Sequence, residues 1–191
     1  MRVACKKLAA ILSAAISFGA NATTIDFEAS GTPYAYNSLD YAIDGFIFNF
    51  TMDNVDIGPG SWANQGPAHS GHFAALNNHG GPGVMSREDG AIFSLQNLWI
   101  KGWGTDGPTT IAGFLAGAQV GLATINITGN SWQQVSLNLA EVDSIQITIP
   151  GGNFLLDDIT VNAVPEPQTY AMLLAGLGYM GLAANRRRNR K

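Results

Sequence analysis

Residues 144–149 read Ser-Ile-Gln-Ile-Thr-Ile, with an isoleucine at every second position. Side chains of a β-strand alternate between its two faces, so the three isoleucines share one face and the three polar residues share the other. This alternation is typical of a strand whose sheet is packed on one side and wet on the other, as antiparallel sheets commonly are. The segment therefore predicts an all-β domain.

Short segments of similar character recur on both sides of this strand. Between residues 23 and 164 they are separated by glycine, asparagine, aspartate and proline, and no amphipathic helical pattern appears. So many short strands in one domain predict an antiparallel β-sandwich of the jelly-roll type. The predicted strands are residues 24–28, 45–50, 91–95, 98–103, 109–115, 122–128, 133–139, 144–149 and 153–161.

Residues 53–90 interrupt this pattern with a long, turn-rich segment. It includes the runs GPGSWANQGPAHSGH and NNHGGPG, and three prolines lie within it. We predict a long excursion between strands, of the kind that usually carries function or is poorly ordered.

Residues 1–22 have the order of a secretory signal peptide. Three cations precede an apolar run at residues 8–18, and Ala20-Asn21-Ala22 places small residues around a cleavage position. We predict that signal peptidase cuts after Ala22 and that the chain is exported. The only cysteine, Cys5, would leave with the signal, so the mature chain would have no disulfide, thiolate nucleophile or cysteine zinc site.

The last 28 residues, 164–191, read VPEPQTYAMLLAGLGYMGLAANRRRNRK. Residues 169–184 carry no charge, and five of the last six residues are cationic. A transmembrane helix at about residues 169–185, with its cationic end on the cytoplasmic side, is the expected structure.

The order of Pro165-Glu166-Pro167, an apolar helix and the terminal Arg186-Arg187-Arg188 resembles the PEP-CTERM sorting signal. This resemblance implies recognition by an exosortase in a Gram-negative bacterium that makes exopolysaccharide, with removal of the tail near the Pro-Glu-Pro motif. It also implies a precursor anchored in the inner membrane and a product at the outer surface or in the extracellular matrix. The predicted organisation is a signal peptide at 1–22, a β-sandwich at 23–163 and a sorting signal at 164–191.

The charge of the chain is unevenly distributed. The net charge is −4, but residues 23–164 carry thirteen acidic residues against only Arg87 and Lys101. A domain with so few cations cannot neutralise many phosphates, which argues against a nucleic-acid partner. Divalent cations could instead bridge such a domain to an acidic polysaccharide.

One acidic residue of the segment 154–161, FLLDDITV, stands in an apolar row. Asp157 shares its strand face with Leu155, Ile159 and Val161, and a buried carboxylate is costly without a partner. Calcium, which takes carboxylate oxygens, is the predicted partner, and a solvated strand edge is the alternative.

This segment and the opening TIDFE at residues 24–28 resemble the two ends of galactose-binding-like jelly rolls of carbohydrate-binding modules. That resemblance implies a structural calcium held by Glu28 and Asp157, with Asp26 and Asp158 as poorer candidates.

Aromatic side chains provide candidate sugar platforms. Trp62 lies in the long excursion, and Tyr34, Tyr36 and Tyr41 precede the second predicted strand. Three further tryptophans fall in or beside strands, where a core position is expected. They are Trp99, Trp103 and Trp132.

Catalytic signatures are weak. The sequence has no GxSxG, P-loop or HExxH motif. His69, His72 and His79 lie within eleven residues, and such a cluster can form a zinc site, although polar loop residues are the plainer interpretation. We therefore predict a non-catalytic, polysaccharide-associated surface or matrix protein with a role in biofilm. The alternatives are an exported hydrolase of glycans or esters with a metal site in the 69–79 loop, and a structural protein without a ligand.

Overall fold

The computed structural model describes residues 22–28, 37–38, 42–61, 66–164 and 173–180 of the 191-residue chain. Twelve β-strands lie in these residues. They are β1 (Ala22–Ile25), β2 (Asn37–Ser38), β3 (Phe46–Phe48), β4 (Met52–Asp56), β5 (Phe73–Asn77), β6 (Gly83–Arg87), β7 (Phe93–Gly102), β8 (Gly107–Leu115), β9 (Ala118–Ile127), β10 (Gln133–Val142), β11 (Ser144–Thr148) and β12 (Phe154–Ala163).

The strands form two antiparallel sheets. The larger sheet has the order β10-β7-β12-β5-β4-β2, with β1 also paired to β12, and the smaller has the order β3-β6-β11-β8-β9. From β5 onward the chain crosses between the sheets repeatedly, so that β6, β8, β9 and β11 lie in the smaller sheet and β7, β10 and β12 in the larger. The predicted antiparallel β-sandwich is confirmed.

The alternating strand at residues 144–149 lies at the centre of the smaller sheet. As β11 it pairs with β6 on one side and β8 on the other. Ile145, Ile147 and Ile149 are buried against the larger sheet, while Ser144 and Gln146 point outward. The period of two in the sequence therefore corresponds to one packed and one outer face.

The main core fills the space between the two sheets. Phe27, Phe93 and Phe154 are fully buried there, and Phe46 packs edge-on against Phe93 with ring centroids 5.1 Å apart. Each fully buried phenylalanine contributes about 1.5–3 kcal/mol of transfer free energy, so a domain without disulfides can be stabilised by such a core.

A second apolar cluster lies on the outer face of the larger sheet. Strand residues Val55, Leu76 and Leu155 meet Ile57 and Ala68 of the segment that joins β4 to β5. Ile57 and Ala68 therefore lie over the outer face of the sheet. Two tryptophans that were expected in the main core, Trp103 and Trp132, instead pack half-buried against this second cluster.

The prediction of one long excursion at residues 53–90 is wrong in part, because β4, β5 and β6 lie largely within it. Each of these strands has five residues. They contain small or polar residues with low β-propensity and are flanked by turn residues, so only pairing with neighbouring strands makes them extended. The predicted strands 91–95 and 98–103 are one continuous strand, β7.

A short helix, α1, occupies residues 173–180, and most of its side chains are exposed. Within the described ranges, no helix has both the length and the apolar character needed to cross a membrane. The predicted transmembrane helix at about 169–185 extends beyond the described residues on both sides and stays a prediction. Of the predicted signal peptide at 1–22, residues 1–21 also lie outside the described residues, and Ala22 is the first residue of β1.

Candidate functional site

The first and last strands bring two of the predicted ligand residues to one region. β1 pairs with β12 in antiparallel register, with Ile25 opposite Ile159. Glu28 follows β1, and Asp157 precedes the part of β12 that pairs with β1. Both carboxylates contact the same segment of the chain, residues 69–73, which we call the tethered loop.

Glu28 holds the end of the tethered loop. Its Oε1 atom accepts a 2.7 Å hydrogen bond from the backbone N–H of His72 and a 2.6 Å bond from that of Phe73. Gly71 adopts a φ of +54°, and a Cβ atom at this position would overlap the Glu28 carboxyl group. Only glycine combines this backbone conformation with the close approach of the carboxylate.

Asp157 holds the start of the tethered loop from beneath. It is fully buried, its Oδ2 atom accepts a 3.0 Å bond from the backbone N–H of Ser70, and its Oδ1 atom accepts a 2.8 Å bond from that of Asp158. Burial raises the pKa of Asp157 to about 7, and the neighbouring Asp158 carboxylate adds to this rise, while the bond from Ser70 opposes it. The apolar row thus contains a buried carboxyl group with amide partners.

Asp158 lies beside Asp157 on the same side of the sheet, because β12 is irregular at this point. The pairing of β12 with β7 shifts register after Asp157, and Asp158 has a φ of +43°. Such a bulge lets two consecutive side chains reach the same loop. Asp158 accepts a 2.5 Å bond from His69 and a 2.9 Å bond from the Ser70 hydroxyl. Its role in holding the loop was not predicted.

His69 also stacks on a tryptophan of the neighbouring strand. Its ring lies 3.6 Å from that of Trp99, with 18° between the planes. Trp99 is opposite Asp157 in the β12–β7 pair and opposite Gln134 in the β7–β10 pair. The imidazole therefore covers one face of this half-buried tryptophan, which lies on the outer face of the sheet.

Glu28 and Asp157 both bind backbone amides of the tethered loop. Their oxygens face backbone N–H donors, which stabilise a carboxylate without a cation. Among the residues that the structure describes, no group of three or more histidine, cysteine or acidic side chains is arranged to hold a metal ion. The two carboxyl groups fit the amides of the tethered loop, and the structural calcium stays a prediction.

The three histidine side chains lie in different surroundings in the described part of the chain. His69 bonds to Asp158, while Nε2 of His79 lies 3.0 and 3.2 Å from the two oxygens of buried Asp53. His72 lies near Gly58, where an added Cβ would come within 2.7 Å of its Nδ1 atom. The metal site that the hydrolase alternative needs is therefore not formed by these three side chains.

A cleft of about 350 Å³ opens at one end of the sandwich. Residues 80–82 and 151–153 line it from two turns, and Thr148 and Ile149 line it from the end of β11. This volume lies within the range of about 300–1,000 Å³ typical of small-molecule sites. Sequence reasoning missed this cleft, because its lining consists mainly of glycines and backbone from distant turns.

Polar side chains, of which Thr51 and Asn77 are buried, fix the turn at residues 80–82. The carbonyl oxygen of Pro82 accepts 2.9 Å bonds from Asn49 Nδ2 and from Thr51 Oγ1. The carbonyl oxygen of Gly81 accepts a 2.9 Å bond from Nδ2 of Asn77, a residue with no exposed surface. One wall of the cleft is therefore held in place by side chains beneath it.

Several predicted site residues lie outside the described ranges. These are the proposed sugar platforms Trp62, Tyr34 and Tyr36, the neighbouring Tyr41, and the sorting residues Pro165, Glu166, Pro167, Arg186, Arg187 and Arg188. Their roles stay predictions at the level of individual side chains.

Several solved structures are similar to the chain at low sequence identity. The K2 cleaved adhesin domain of Lys-gingipain is 12% identical, with 77% of this chain and 100% of that chain covered and a TM-score of 0.49. The CBM22-1 xylan-binding domain from Paenibacillus barcinonensis Xyn10C is 12% identical, with 70% and 94% covered and a TM-score of 0.41. TmCBM61 in complex with β-1,4-galactotriose is 13% identical, with 63% and 90% covered and a TM-score of 0.38.

Among curated proteins, none matches the chain. The family model of the PEP-CTERM protein-sorting motif matches residues 163–188. The match begins at the last residue of β12, so the motif directly follows the sandwich in the chain. The chain therefore carries a PEP-CTERM protein-sorting motif on the C-terminal side of an antiparallel β-sandwich.

Proposed function

We propose that this chain is an exported surface or extracellular-matrix protein whose non-catalytic β-sandwich associates with polysaccharide. An exosortase would recognise the tail, and the processed domain would remain at the outer surface or in the matrix of a biofilm. The observation that carries the proposal is the position of the sorting motif, which starts where the last strand of the sandwich ends.

This position supports release of an intact domain. All twelve described strands lie between residues 22 and 163, and the Pro-Glu-Pro motif follows at residues 165–167. Two prolines within three residues disfavour helix and sheet pairing, which suits an extended segment for a protease. A cut there would remove no strand from either sheet.

The described side chains give no support for catalysis. The two histidine–aspartate pairs are separate, because His69 bonds to Asp158 of β12 and His79 bonds to Asp53 of β4. In the described ranges no serine or threonine hydroxyl is hydrogen-bonded to a histidine, so a nucleophile activated by a base is not assembled there.

The cleft at the end of the sandwich is where we place the polysaccharide. The turn at residues 80–82, which forms one wall of the cleft, is held by Asn49, Thr51 and Asn77. This turn would therefore lose little conformational entropy when a ligand binds. Glycines on both turns let sugar hydroxyls approach backbone polar groups closely.

Binding and turnover can be separated with polysaccharide from the producing culture. Full-length protein should co-sediment with this polysaccharide and release no sugar or acyl product in a panel of glycosidase and esterase assays. Thr148→Trp should fill the cleft and weaken co-sedimentation at least about tenfold. Ser144→Trp, which lies four residues earlier on the same face of β11 and outside the cleft lining, should bind normally.

Two results would contradict the proposal. Failure of the unaltered protein to co-sediment with any polysaccharide would remove its binding function. Turnover that His72→Ala abolishes would favour the exported hydrolase instead.

A further inference from the structure

Strand β9 (Ala118–Ile127) is the last strand of the smaller sheet. It pairs with β8 along one edge, and no other strand of the described structure is hydrogen-bonded to its second edge. An open edge presents a row of backbone N–H and C=O groups, which can pair with a strand from another chain.

The part of the chain around β9 is free of charge. No Asp, Glu, Lys, Arg or His occurs from Gly107 to Ala140, a span that includes β8, β9 and most of β10. All thirteen acidic residues of segment 23–164 lie outside this span. Two copies of so acidic a domain repel each other over most of their surface, and this repulsion is weakest along the uncharged strands.

Two other sheet edges are protected. At the edge of the larger sheet, β10 shifts register twice and has positive φ angles at Asn138 and Glu141, which disturb regular pairing. At the far edge of the smaller sheet, β3 has only three residues. By contrast, β9 has one irregularity, at Val120, and pairs regularly with β8 from Gly121 to Ile127. Residues 121–127 therefore have no charged residue, proline or bulge, which are the features that usually protect an edge strand.

Apolar side chains lie exposed on the same strand. Val120 and Leu122 are 51% and 57% exposed, and both belong to the uncharged span. Leu122 lies opposite Ala112 of β8, so the outer face of the sheet is apolar at this point. Covering this surface would add a hydrophobic contribution to backbone pairing.

We infer that a second copy of this chain pairs with β9 in antiparallel register along residues 121–127. A two-fold axis makes such an interface self-complementary, and it joins two five-stranded sheets into one of ten strands. A second copy fits better than a strongly charged partner, because the edge offers no charged side chain to such a partner. The inference does not depend on polysaccharide binding.

Substitution by lysine tests the edge directly. We expect the full-length chain in non-ionic detergent to form a dimer in analytical ultracentrifugation, and Leu122→Lys to weaken it at least about tenfold. Ser136→Lys changes the net charge equally on an exposed residue of β10 and should leave the dimer intact. Thr124→Lys provides a second β9 variant if Leu122→Lys does not fold. A monomer at all concentrations, or equal weakening by Ser136→Lys, would overturn the inference.

Cysteine substitution tests the register. In a Cys5→Ser background, cysteine is placed in turn at each position from 122 to 126. A disulfide needs Cα atoms within about 7 Å, and in an antiparallel two-fold pair only the residue on the axis meets its own copy at that distance. We expect one position to form a cross-linked dimer efficiently. Equal cross-linking at all five positions, or at none, would contradict antiparallel pairing of β9.

Discussion

The carboxylate of Glu28 accepts a 2.6 Å hydrogen bond from the backbone N–H of Phe73, 45 residues further along the chain. Phe73 is the first residue of β5, and Glu28 follows the strand that pairs with β12. This bond and the adjacent bond to His72 fasten the tethered loop at the point where β5 begins. The loop therefore depends on a side chain from the start of the domain.

Removal of the Glu28 carboxylate should loosen this attachment. Hydrogen bonds to a charged group contribute about 1.5–3 kcal/mol, so we expect Glu28→Ala to lower the free energy of unfolding by about 2–3 kcal/mol. Chemical denaturation followed by tryptophan fluorescence measures this change. Glu88→Ala removes an exposed carboxylate with no side-chain hydrogen bond described and should change stability by less than about 0.5 kcal/mol. Equal effects of the two substitutions would contradict the assigned role.

Asp157 should make stability fall as the pH rises. Burial raises its pKa in the folded protein to about 7, whereas in the unfolded chain it has the ordinary value of 3.8. Between these values the folded state retains a proton that the unfolded state releases, so stability decreases with pH by up to about 4 kcal/mol over this window.

The control for this pH effect is Asp157→Asn, which cannot titrate. Unfolding in urea at several pH values between about 4 and 8, with EDTA present, should show a smaller decrease in stability for the variant than for the unaltered protein. The same pH dependence in both proteins would show that Asp157 titrates normally in the folded state.

The hairpin that precedes β9 contains a strained residue. Its two-residue turn has positive φ angles at Ala116 (51°) and Gly117 (78°), as a type I′ turn requires. A side chain in this region costs about 1–2 kcal/mol, so Ala116→Gly should raise the free energy of unfolding by about 1 kcal/mol. Ala118→Gly, one step into the strand, should lower it by about 0.5–1 kcal/mol. A loss of stability in Ala116→Gly would contradict the turn geometry.

The effect of calcium on the melting temperature shows whether Glu28 and Asp157 hold the tethered loop through its amides or bind a structural calcium ion. If these carboxylates act through the amides of the tethered loop, the melting temperature should be the same with calcium and with EDTA. We expect this result, because the oxygens of both side chains already accept hydrogen bonds from backbone N–H groups. A melting temperature that rises by several degrees with calcium, and does not rise with magnesium, would favour the structural calcium that the sequence resemblance implies.

The sequence predicts a strand correctly where apolar and polar residues alternate within that strand. The isoleucines of β11 alternate strictly, and a strand with one buried face follows directly from them. β5 could not be found this way, because two alanines and an asparagine among its five residues carry no strand signal. It is a strand because β4 and β12 pair with it on either side. The smaller strands of residues 53–90 are therefore set by tertiary pairing rather than by local sequence.

The sequence predicted that Asp157 needs a partner, but it did not predict which groups the partners are. The apolar row around Asp157 indicated that a buried carboxyl group would need a partner, and it is buried. Its partners are the backbone amides of Ser70 and of Asp158, and residue types alone cannot indicate a backbone partner 87 residues away. The involvement of Asp158 depends on a bulge in β12, which leaves no distinct pattern in the sequence.

Intact mass spectrometry of the protein recovered from outside the producing cells tests the central claim most directly. Export and sorting predict a mature chain that begins near Thr23 and ends near Pro167, with the arginine-rich tail absent. Recovery of a chain that still ends in Lys191 would contradict processing at the sorting motif.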